Sequence, residues 1–232
     1  STCCLIYTSG TSGKPKGVML SHGAILCNCM GAYHFLHDLP GFEQETEIFL
    51  SFLPLSHSYE HSAGQFFPIS IGAQIYYAEG IDKLTANIAE VQPTIMTAVP
   101  RLYEAMHNRV RRGVERTGGL KQTLFERAVE LGRKSNEVPG SLTVGEKVTN
   151  CLLDTLVRKK VKERFGGRLK AFVSGGAPLN YDIGVFFTAL GLRILQGYGQ
   201  TEAAPVVSCN PFSLNKLQTV GPPWQGVAVR IA

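Results

Sequence analysis

The sequence is short of charged residues and of the patterns that mark several protein classes. Asp, Glu, Lys and Arg together make up 18% of its 232 residues, whereas 44% are hydrophobic. This balance excludes an intrinsically disordered chain. It also provides enough apolar side chains for a sizeable core in one large domain or two small ones.

Long apolar runs and secretory signals are lacking as well. The most apolar stretch, FFPISIGAQIYYA, is interrupted by Pro68 and Gly72 and is too short to span a bilayer. Internal repeats and low-complexity tracts are also missing. The chain begins directly in a strand-like segment and ends just after another one, so we expect it to be the central part of a longer protein.

Cysteine pairs with metal-binding or redox spacing are missing too. The six cysteines stand at positions 3, 4, 27, 29, 151 and 209, with no C-x-x-C pair and no zinc-like spacing to histidine. Nothing in their sequence neighbourhoods would lower a thiol pKa. We therefore expect reduced, mostly buried thiols in a cytoplasmic protein.

The net charge of +5 is distributed unevenly. Residues 101–116 carry five Arg and two Glu, and residues 158–170 carry seven basic residues and one Glu. Such segments can face a phosphate-bearing ligand, nucleic acid or an anionic membrane surface, or can simply form solvated helix faces. They contain neither interleaved stacking aromatics nor a nucleic-acid-binding signature, so nucleic acid is not an expected partner.

Short β-branched runs alternate with longer helical patterns. The predicted strands are Thr2–Thr8, Ile48–Leu53, Ala73–Ala78, Thr94–Ala98, Lys170–Ser174, Leu192–Gln196, Pro205–Ser208 and Val227–Ile231. The predicted helices are His22–His37, with Ser21 as N-cap, and roughly 61–71, 82–91, 101–115, 120–135, 144–165 and 180–190.

This alternation predicts an α/β fold with a mainly parallel sheet flanked by helices, beside which the mostly helical residues 101–166 could form a lobe. Apolar stripes support two of the helices. One comprises Ile25, Cys29, Ala32 and Leu36; the other comprises Leu153, Val157, Val161 and Phe165. In parallel sheets, ligands bind beyond the carboxyl ends of the strands, where four polar or glycine-rich loops are expected to meet.

The first of these loops lies within YTSGTSGKPKGV. Gly10, Gly13 and Gly17 can adopt positive φ angles, which lets backbone N–H groups converge on an anion. Hydroxyls and ammonium groups add donors: Thr8, Ser9, Thr11, Ser12, Lys14 and Lys16. The loop predicts a polyphosphate site, although its spacing is not that of a Walker A motif.

The last loop, QGYGQTE, combines an aromatic ring with a carboxylate. Tyr198 stands between Gly197 and Gly199, which predicts an exposed ring on a bend, suited to stacking on a nucleobase. Thr201 and Glu202 supply a hydroxyl and one carboxylate, and one carboxylate plus substrate phosphates suffices for Mg²⁺.

The two middle loops are less specific. SGGAPL (174–179) predicts a tight turn into a helix, in which Gly175 and Gly176 permit close approach of a planar ligand. PLSHSYEH (54–61) places His57 at a strand end. A lone histidine is more often structural than functional, and His57, Glu60 and His61 do not match the helical zinc motif of hydrolases.

Taken in order, YTSGTSGKPKGV, PLSH, SGGAP and QGYGQTE resemble the adenylate-forming superfamily over essentially the whole chain. VPRLYEAMHNRV and the basic segment before LKAFVSGGAPL look most like long-chain fatty acyl-CoA synthetases. The resemblance implies that a carboxylate attacks the α-phosphate of ATP, giving acyl-AMP and pyrophosphate. The thiol of coenzyme A, a co-substrate, then displaces AMP.

The resemblance also implies roles for the site residues. Thr8 to Lys16 would hold the β- and γ-phosphates. Gly175, Gly176 and Ala177 would line the adenine pocket, with Tyr198 on the base and Gln196, Gly197 and Gly199 around it. Thr201 would touch the α-phosphate, Glu202 would bind Mg²⁺, and His57 would lie near the acyl carboxylate.

Two departures from the family pattern bear on activity. Long-chain relatives often have Glu-Arg after the histidine, where this chain has Glu60 and His61. We expect three parts of the family's enzymes to lie outside this chain: the upstream segment, the Asp that binds the ribose, and the small C-terminal domain with its catalytic lysine. Little activity is therefore expected of residues 1–232 alone. The alternatives are a fatty acyl-AMP ligase, an aryl-CoA ligase or a non-catalytic nucleotide-binding module.

Overall fold

The computed structural model describes residues 1–9 and 13–231 and contains two sheets. The strands are β1 (Thr2–Thr8), β2 (Lys16–Ser21), β3 (Ile48–Ser51), β4 (Gln74–Tyr77), β5 (Ile95–Ala98), β6 (Ala171–Ser174), β7 (Ile194–Gly199) and β8 (Val206–Cys209). The α-helices are α1 (His22–Leu36), α2 (Phe67–Ser70), α3 (Leu84–Val91), α4 (Pro100–Thr117), α5 (Gly119–Glu137), α6 (Val144–Leu153), α7 (Lys159–Arg164) and α8 (Tyr181–Ala189).

Two π-helical segments and two 3₁₀ turns complete the described elements. The π-helices are Glu60–Phe66, which leads into α2, and Asp154–Arg158, which joins α6 to α7. The 3₁₀ turns are Thr201–Ala203 and Phe212–Leu214. The predicted helix over 144–165 is thus one continuous helical segment with a change of winding in its middle.

The larger sheet has the strand order β4-β3-β5-β6-β7-β8. All neighbouring pairs are parallel except β7 and β8, which are antiparallel. This confirms the α/β fold with a mainly parallel sheet. Helices cover both faces and bury two apolar clusters, one under α4–α8 around Tyr103 and Phe172, the other under α1 around Ile25 and Phe49.

The first strand departs from expectation. β1 pairs only with β2, antiparallel, with Thr8 opposite Lys16, so it belongs to a separate two-stranded sheet. Strand β2 was not predicted, although it contains the apolar run Val18, Met19 and Leu20 and follows a short Gly-, Ser- and Pro-containing loop, which is a hairpin signal. The segment predicted to bind polyphosphate therefore connects the two strands of a hairpin.

The predicted last strand is wrong. Residues 227–231 lie within the described chain and form neither strand nor helix. A strand requires a partner for its backbone groups, and the open side of β8 is used by residues just upstream. Ser208 bridges to Pro223, and the N–H of Trp224 donates to Val207 O at 2.9 Å.

Both predicted helix stripes are confirmed. Ser21 caps α1 by accepting a hydrogen bond from Ala24 N at 3.1 Å, and the α1 stripe of Ile25, Cys29, Ala32 and Leu36 is buried. The stripe formed by Leu153, Val157, Val161 and Phe165 is buried as well. None of the helices in the described ranges is long and apolar enough to cross a membrane.

Candidate active site

A cavity of about 200 Å³ opens at the carboxyl ends of the parallel strands. Its wall combines residues that follow β3, β6 and β7 with residues of β5 itself and the apolar side of α1. Seven of the predicted site residues line it: His57, Gly175, Gly176, Gly197, Tyr198, Gly199 and Thr201. Three of the four expected loops therefore meet at one place, as the strand-end rule predicts.

The turn after β6 lies directly on a buried tyrosine. The Tyr59 hydroxyl donates to Val173 O at 2.8 Å, and a Cβ added at Gly175 would lie 3.0 Å from the ring. Burial raises the pKa of Tyr59 well above its usual value, so its hydroxyl stays protonated as a donor. Gly176 has φ +84°, which a residue with a Cβ rarely adopts. Ala177, which follows, is exposed.

Gln196 positions this turn from the neighbouring strand. It is buried, its side-chain oxygen accepts from Leu179 N at 2.7 Å, and its amide donates to Leu217 O and Thr219 O. Through these three hydrogen bonds, the Gln196 side chain connects the SGGAPL segment to the residues that follow β8. The assignment of Gln196 to cofactor binding stays a prediction.

Tyr198 lies on a strand rather than on the bend that its flanking glycines suggested. Gly197 and Gly199 are needed because β8 comes very close: added Cβ atoms would lie 3.0 Å from Cys209 Sγ and 2.2 Å from Pro205 O. The ring is 47% exposed, in agreement with the expectation of an accessible aromatic. Its hydroxyl accepts a hydrogen bond from Gln200 Nε2 at 2.7 Å.

Thr201 joins two of the loops. Its Oγ1 lies 3.1 Å from Oγ of the buried Ser58, which stands next to His57. Glu202 follows in the same 3₁₀ turn and is exposed at the rim, outside the cavity wall. Among residues 1–9 and 13–231 no group of three or more His, Cys, Asp or Glu could hold a metal ion, and the assignment of Glu202 to Mg²⁺ stays a prediction.

His57 is exposed and held by its own loop. Its Nδ1 accepts a hydrogen bond from Tyr59 N at 3.2 Å, so Nε2 carries the proton of the neutral ring. His61 does not form an ion pair with Glu60. Its Nε2 is buried without a hydrogen-bond partner among the described residues, and its ring packs edge-on against Phe66 at 4.9 Å.

Sequence reasoning missed the buried carboxyl of Glu60. It accepts hydrogen bonds from Ser51 Oγ at 2.5 Å and from Thr97 Oγ1 at 2.6 Å, and burial raises its pKa. It thereby joins β3, β5 and the π-helix below the cavity, whose wall includes Thr97. The available signal was a glutamate within PLSHSYEH, the segment already singled out for His57.

Asn28 is a second residue that the sequence did not reveal. It is buried on α1, its amide donates to Ala203 O at 3.1 Å, and its carbonyl accepts from Val206 N at 2.9 Å. One side chain therefore fixes both ends of the segment from Ala203 to Val206, directly after Thr201 and Glu202. An asparagine on the buried side of a helix is unusual. Its role is clear only once its hydrogen-bond partners, which are far away in sequence, are known.

None of the described residues of the hairpin, 1–9 and 13–21, lines the cavity wall. β2 contacts the Thr201–Ala203 turn, and Lys14 and Lys16 are exposed. Gly13 has φ +78°, as predicted, but Gly17 does not adopt positive φ because it pairs with Tyr7 inside the hairpin. Thr8 ends β1, and Ser9 is exposed. The predicted residues Gly10, Thr11 and Ser12 lie outside the described residues.

The comparisons with known proteins agree on one family. The sequence matches the family model "AMP-binding enzyme" over residues 1–232. It is 32% identical over 233 residues to the peroxisomal long chain acyl-CoA synthetase 6 of Arabidopsis thaliana, covering 100% of this chain and 31% of that protein. The long-chain-fatty-acid--CoA ligase FadD15 of Mycobacterium tuberculosis is 32% identical over 238 residues, with 98% and 37% covered.

Solved structures share the fold. Apo MatB from Rhodopseudomonas palustris superposes with a TM-score of 0.66 at 20% identity, over 100% of this chain and 35% of that one. A benzoate CoA ligase from Burkholderia xenovorans LB400 gives 0.62 at 24% identity, over 97% and 35%. The chain spans about a third of the length of the curated relatives it matches.

Proposed function

The chain belongs to the AMP-binding enzyme family, and from that premise we propose that the protein carrying it activates a long-chain fatty acid. The carboxylate oxygen attacks the α-phosphorus of ATP, the bond to the β-phosphate oxygen breaks, and pyrophosphate leaves. The sulfur of coenzyme A then attacks the acyl carbon, loses its proton, and AMP departs. The chain supplies the nucleotide-binding part of this site.

The observation that carries the proposal is the cavity at the strand ends. It brings an exposed tyrosine ring, Tyr198, to one wall with the backbone turn at Gly175 and Gly176. A planar base can lie between such a turn and such a ring. Ala177, Gln196, Gly197 and Gly199 belong to the same proposed base site.

The phosphates would extend from this base site toward the hairpin loop. Thr201 lines the cavity, and β2 contacts the turn that Thr201 begins. The ammonium groups of Lys14 and Lys16 would then add positive charge beside the pyrophosphate that leaves when the α-phosphorus is attacked. We assign Thr8 through Lys16, including Gly10, Thr11 and Ser12, to the β- and γ-phosphates.

Glu202 fits the proposed Mg²⁺ site. Its carboxylate is exposed beside Thr201 and forms neither a hydrogen bond nor an ion pair with any described residue. Mg²⁺ is commonly held by one carboxylate together with substrate phosphates and water. When bound, the ion would neutralise charge on the phosphates.

The acyl group would occupy the apolar part of the cavity. Phe35, Leu36, Phe49, Phe67 and Trp224 line this part, and an aliphatic tail gains free energy by leaving water there. His57 lies on the same cavity wall, where its Nε2–H can donate to the carboxylate and to the charge that develops on it.

Pyrophosphate release tests the proposal. The protein carrying this chain is assayed with Mg-ATP and a panel of aliphatic and aromatic carboxylates, with and without coenzyme A. Release with long-chain acids, and acyl-CoA formed when coenzyme A is present, is expected. Acyl-AMP as the final product would instead indicate a fatty acyl-AMP ligase, and preference for aromatic acids an aryl-CoA ligase. ATP binding without turnover would indicate a non-catalytic nucleotide-binding module.

A further inference from the structure

The indole ring of Trp224 closes one end of the apolar cavity. Trp224 is 9% exposed, lines the cavity and stacks on Phe35 of α1, with the ring centroids 6.1 Å apart. Its backbone is fixed beside β8, because its N–H donates to Val207 O at 2.9 Å and its carbonyl accepts from Val227 N at 3.0 Å. We call Phe35 and Trp224 the end wall.

The end wall lies at the deep end of the cavity. The cavity opens at the carboxyl ends of the strands, where Asn28 on α1 donates to Ala203 O. Phe35 follows Asn28 by seven residues, which corresponds to about 10 Å along the helix. Phe49 and Ile95, which pair near the starts of β3 and β5, line the same inner part. A chain that enters from the strand ends therefore points toward the end wall.

A glycine on α1 makes room for the indole ring. A Cβ added at Gly31 would lie 2.3 Å from Cε3 of Trp224 and 3.0 Å from its Cδ2. Glycine is unfavourable inside a helix, so the close approach of the ring explains its presence here. Gly31 and Phe35 are four residues apart and therefore lie on the same side of α1. Both contact the indole from the helix side.

Packing, rather than a side-chain hydrogen bond, holds the indole in place. The Nε1–H of Trp224 is buried and has no hydrogen-bond acceptor among residues 1–9 and 13–231. A buried tryptophan usually finds such an acceptor. The position of the ring therefore depends on its contacts with Gly31 and Phe35 and on the shape of the cavity.

We propose that Trp224 limits the length of the acyl chain that the protein activates. The inference rests on the proposed function, which assigns the acyl group to this cavity. A chain whose end reaches the indole fills the cavity. A longer chain would have to displace a ring that is packed against α1 and fixed through its backbone. Each methylene that cannot enter stays in water and loses the free energy of burial.

Chain-length profiles test this inference. Pyrophosphate release by the protein carrying this chain is measured with saturated fatty acids of increasing length. Trp224→Ala frees the volume of about five methylene groups at the packing density of a protein interior. The variant should accept acids about four carbons longer than wild type does, with kcat/KM for these acids raised about tenfold or more. Trp224→Leu, which disturbs the fold less, should give a smaller shift in the same direction.

The contact with Gly31 supplies a second test of opposite sign. Gly31→Ala must push the indole toward the cavity, and it should lower kcat/KM for the longest accepted acids about threefold or more. Combining it with Trp224→Ala should abolish this loss, because the clashing ring is gone. Phe165→Ala is the control, since Phe165 is 7% exposed and lies in the other apolar cluster. It should leave the length profile unchanged.

Tryptophan fluorescence reports chain binding without turnover. Trp224 is the only tryptophan of the sequence, so the emission of the 232-residue chain comes from the end wall. A bromine atom quenches tryptophan emission on contact. Fatty acids with a terminal bromine, in a series of increasing length, are expected to quench only once their ends reach the indole. That length should match the longest acid that the wild-type protein activates.

The two measurements separate this inference from the proposed function. Pyrophosphate release with the same length profile in wild type, Trp224→Ala and Trp224→Leu would overturn the inference and leave the proposed function standing. Length-dependent quenching without pyrophosphate release from any acid would support the end wall and contradict the proposed function. Absence of quenching by every bromo acid would overturn the inference.

Discussion

Ser58 Oγ lies 3.1 Å from Thr201 Oγ1, although 143 residues separate them in sequence. Ser58 is buried beside His57, and Thr201 begins the 3₁₀ turn after β7. This hydrogen bond holds the proposed acyl-carboxylate loop against the proposed α-phosphate position. The loop proposed to meet the carboxylate and the threonine proposed to contact ATP are therefore hydrogen-bonded to each other without any ligand.

We predict that Ser58→Ala weakens ATP binding. Loss of one hydrogen bond of about 1 kcal/mol frees the Thr201 hydroxyl and should raise the Kd for ATP about fivefold. Isothermal titration calorimetry measures the change, with Ser213→Ala, an exposed serine in the Phe212–Leu214 turn, as control. An unchanged Kd would show that Thr201 needs no positioning by Ser58.

Glu60 should give the protein a stability that declines as pH rises. Its pKa is raised above 4.5 by burial, so the folded state holds the proton more tightly than the unfolded state. The contribution is fully present below pH 4.5 and is lost as pH rises through the higher folded pKa. Thermal unfolding of wild type and of Glu60→Gln between about pH 4 and pH 8 measures this effect. The Tm of Glu60→Gln, relative to that of wild type, should rise as pH rises.

Glu146 provides a control of opposite sign. Hydrogen bonds from Lys134 and Thr143 lower its pKa to about 2, so its contribution is present above pH 4.5 and is lost as pH falls toward 2. Glu146→Gln should flatten only this acid limb, which is measured by extending the thermal-unfolding series down to about pH 2. A constant difference between wild type and Glu60→Gln at every pH would contradict the Glu60 prediction.

Two helical glycines should respond oppositely to alanine. A Cβ at Gly132 on α5 would lie 2.5 Å from Ala189 O and 2.7 Å from its Cα, so Gly132→Ala must push α8 away at a cost of about 1–3 kcal/mol. A Cβ at Gly113 on α4 would meet nothing within 4 Å, so Gly113→Ala should stabilise by about 0.5–1 kcal/mol. Urea unfolding measures both. Equal effects would mean that α5 and α8 do not pack this closely.

Removal of Arg158 should destabilise the helical lobe strongly. Arg158→Ala leaves three buried carbonyl oxygens without their charged donor, and we expect a loss of about 3–5 kcal/mol. Arg164→Ala on the exposed part of α7 should change stability by less than about 0.5 kcal/mol. The measurement is again urea unfolding. A small loss for Arg158→Ala would indicate that the carbonyls find water instead.

Local patterns predicted most of the elements because their signals are short-range. Short β-branched runs identified the central strands, and the cap at Ser21 identified the start of α1. The hairpin partner of β1 and the absence of a strand at residues 227–231 of the described chain escaped prediction. Pairing depends on which backbone edge is free, and residues 223–224 already use the edge of β8.

The α/β alternation, the order of the glycine-rich loops and the residue types available for a phosphate and base site could all be predicted from sequence, because spacing and side-chain chemistry are local. Which of these residues meet depends on the packing of the whole chain. It placed Tyr59 under Gly175 and Asn28 beside Ala203, and it made Gly197 and Gly199 necessary through the approach of β8. Such contacts follow from packing between residues far apart in the chain, and no local pattern encodes them.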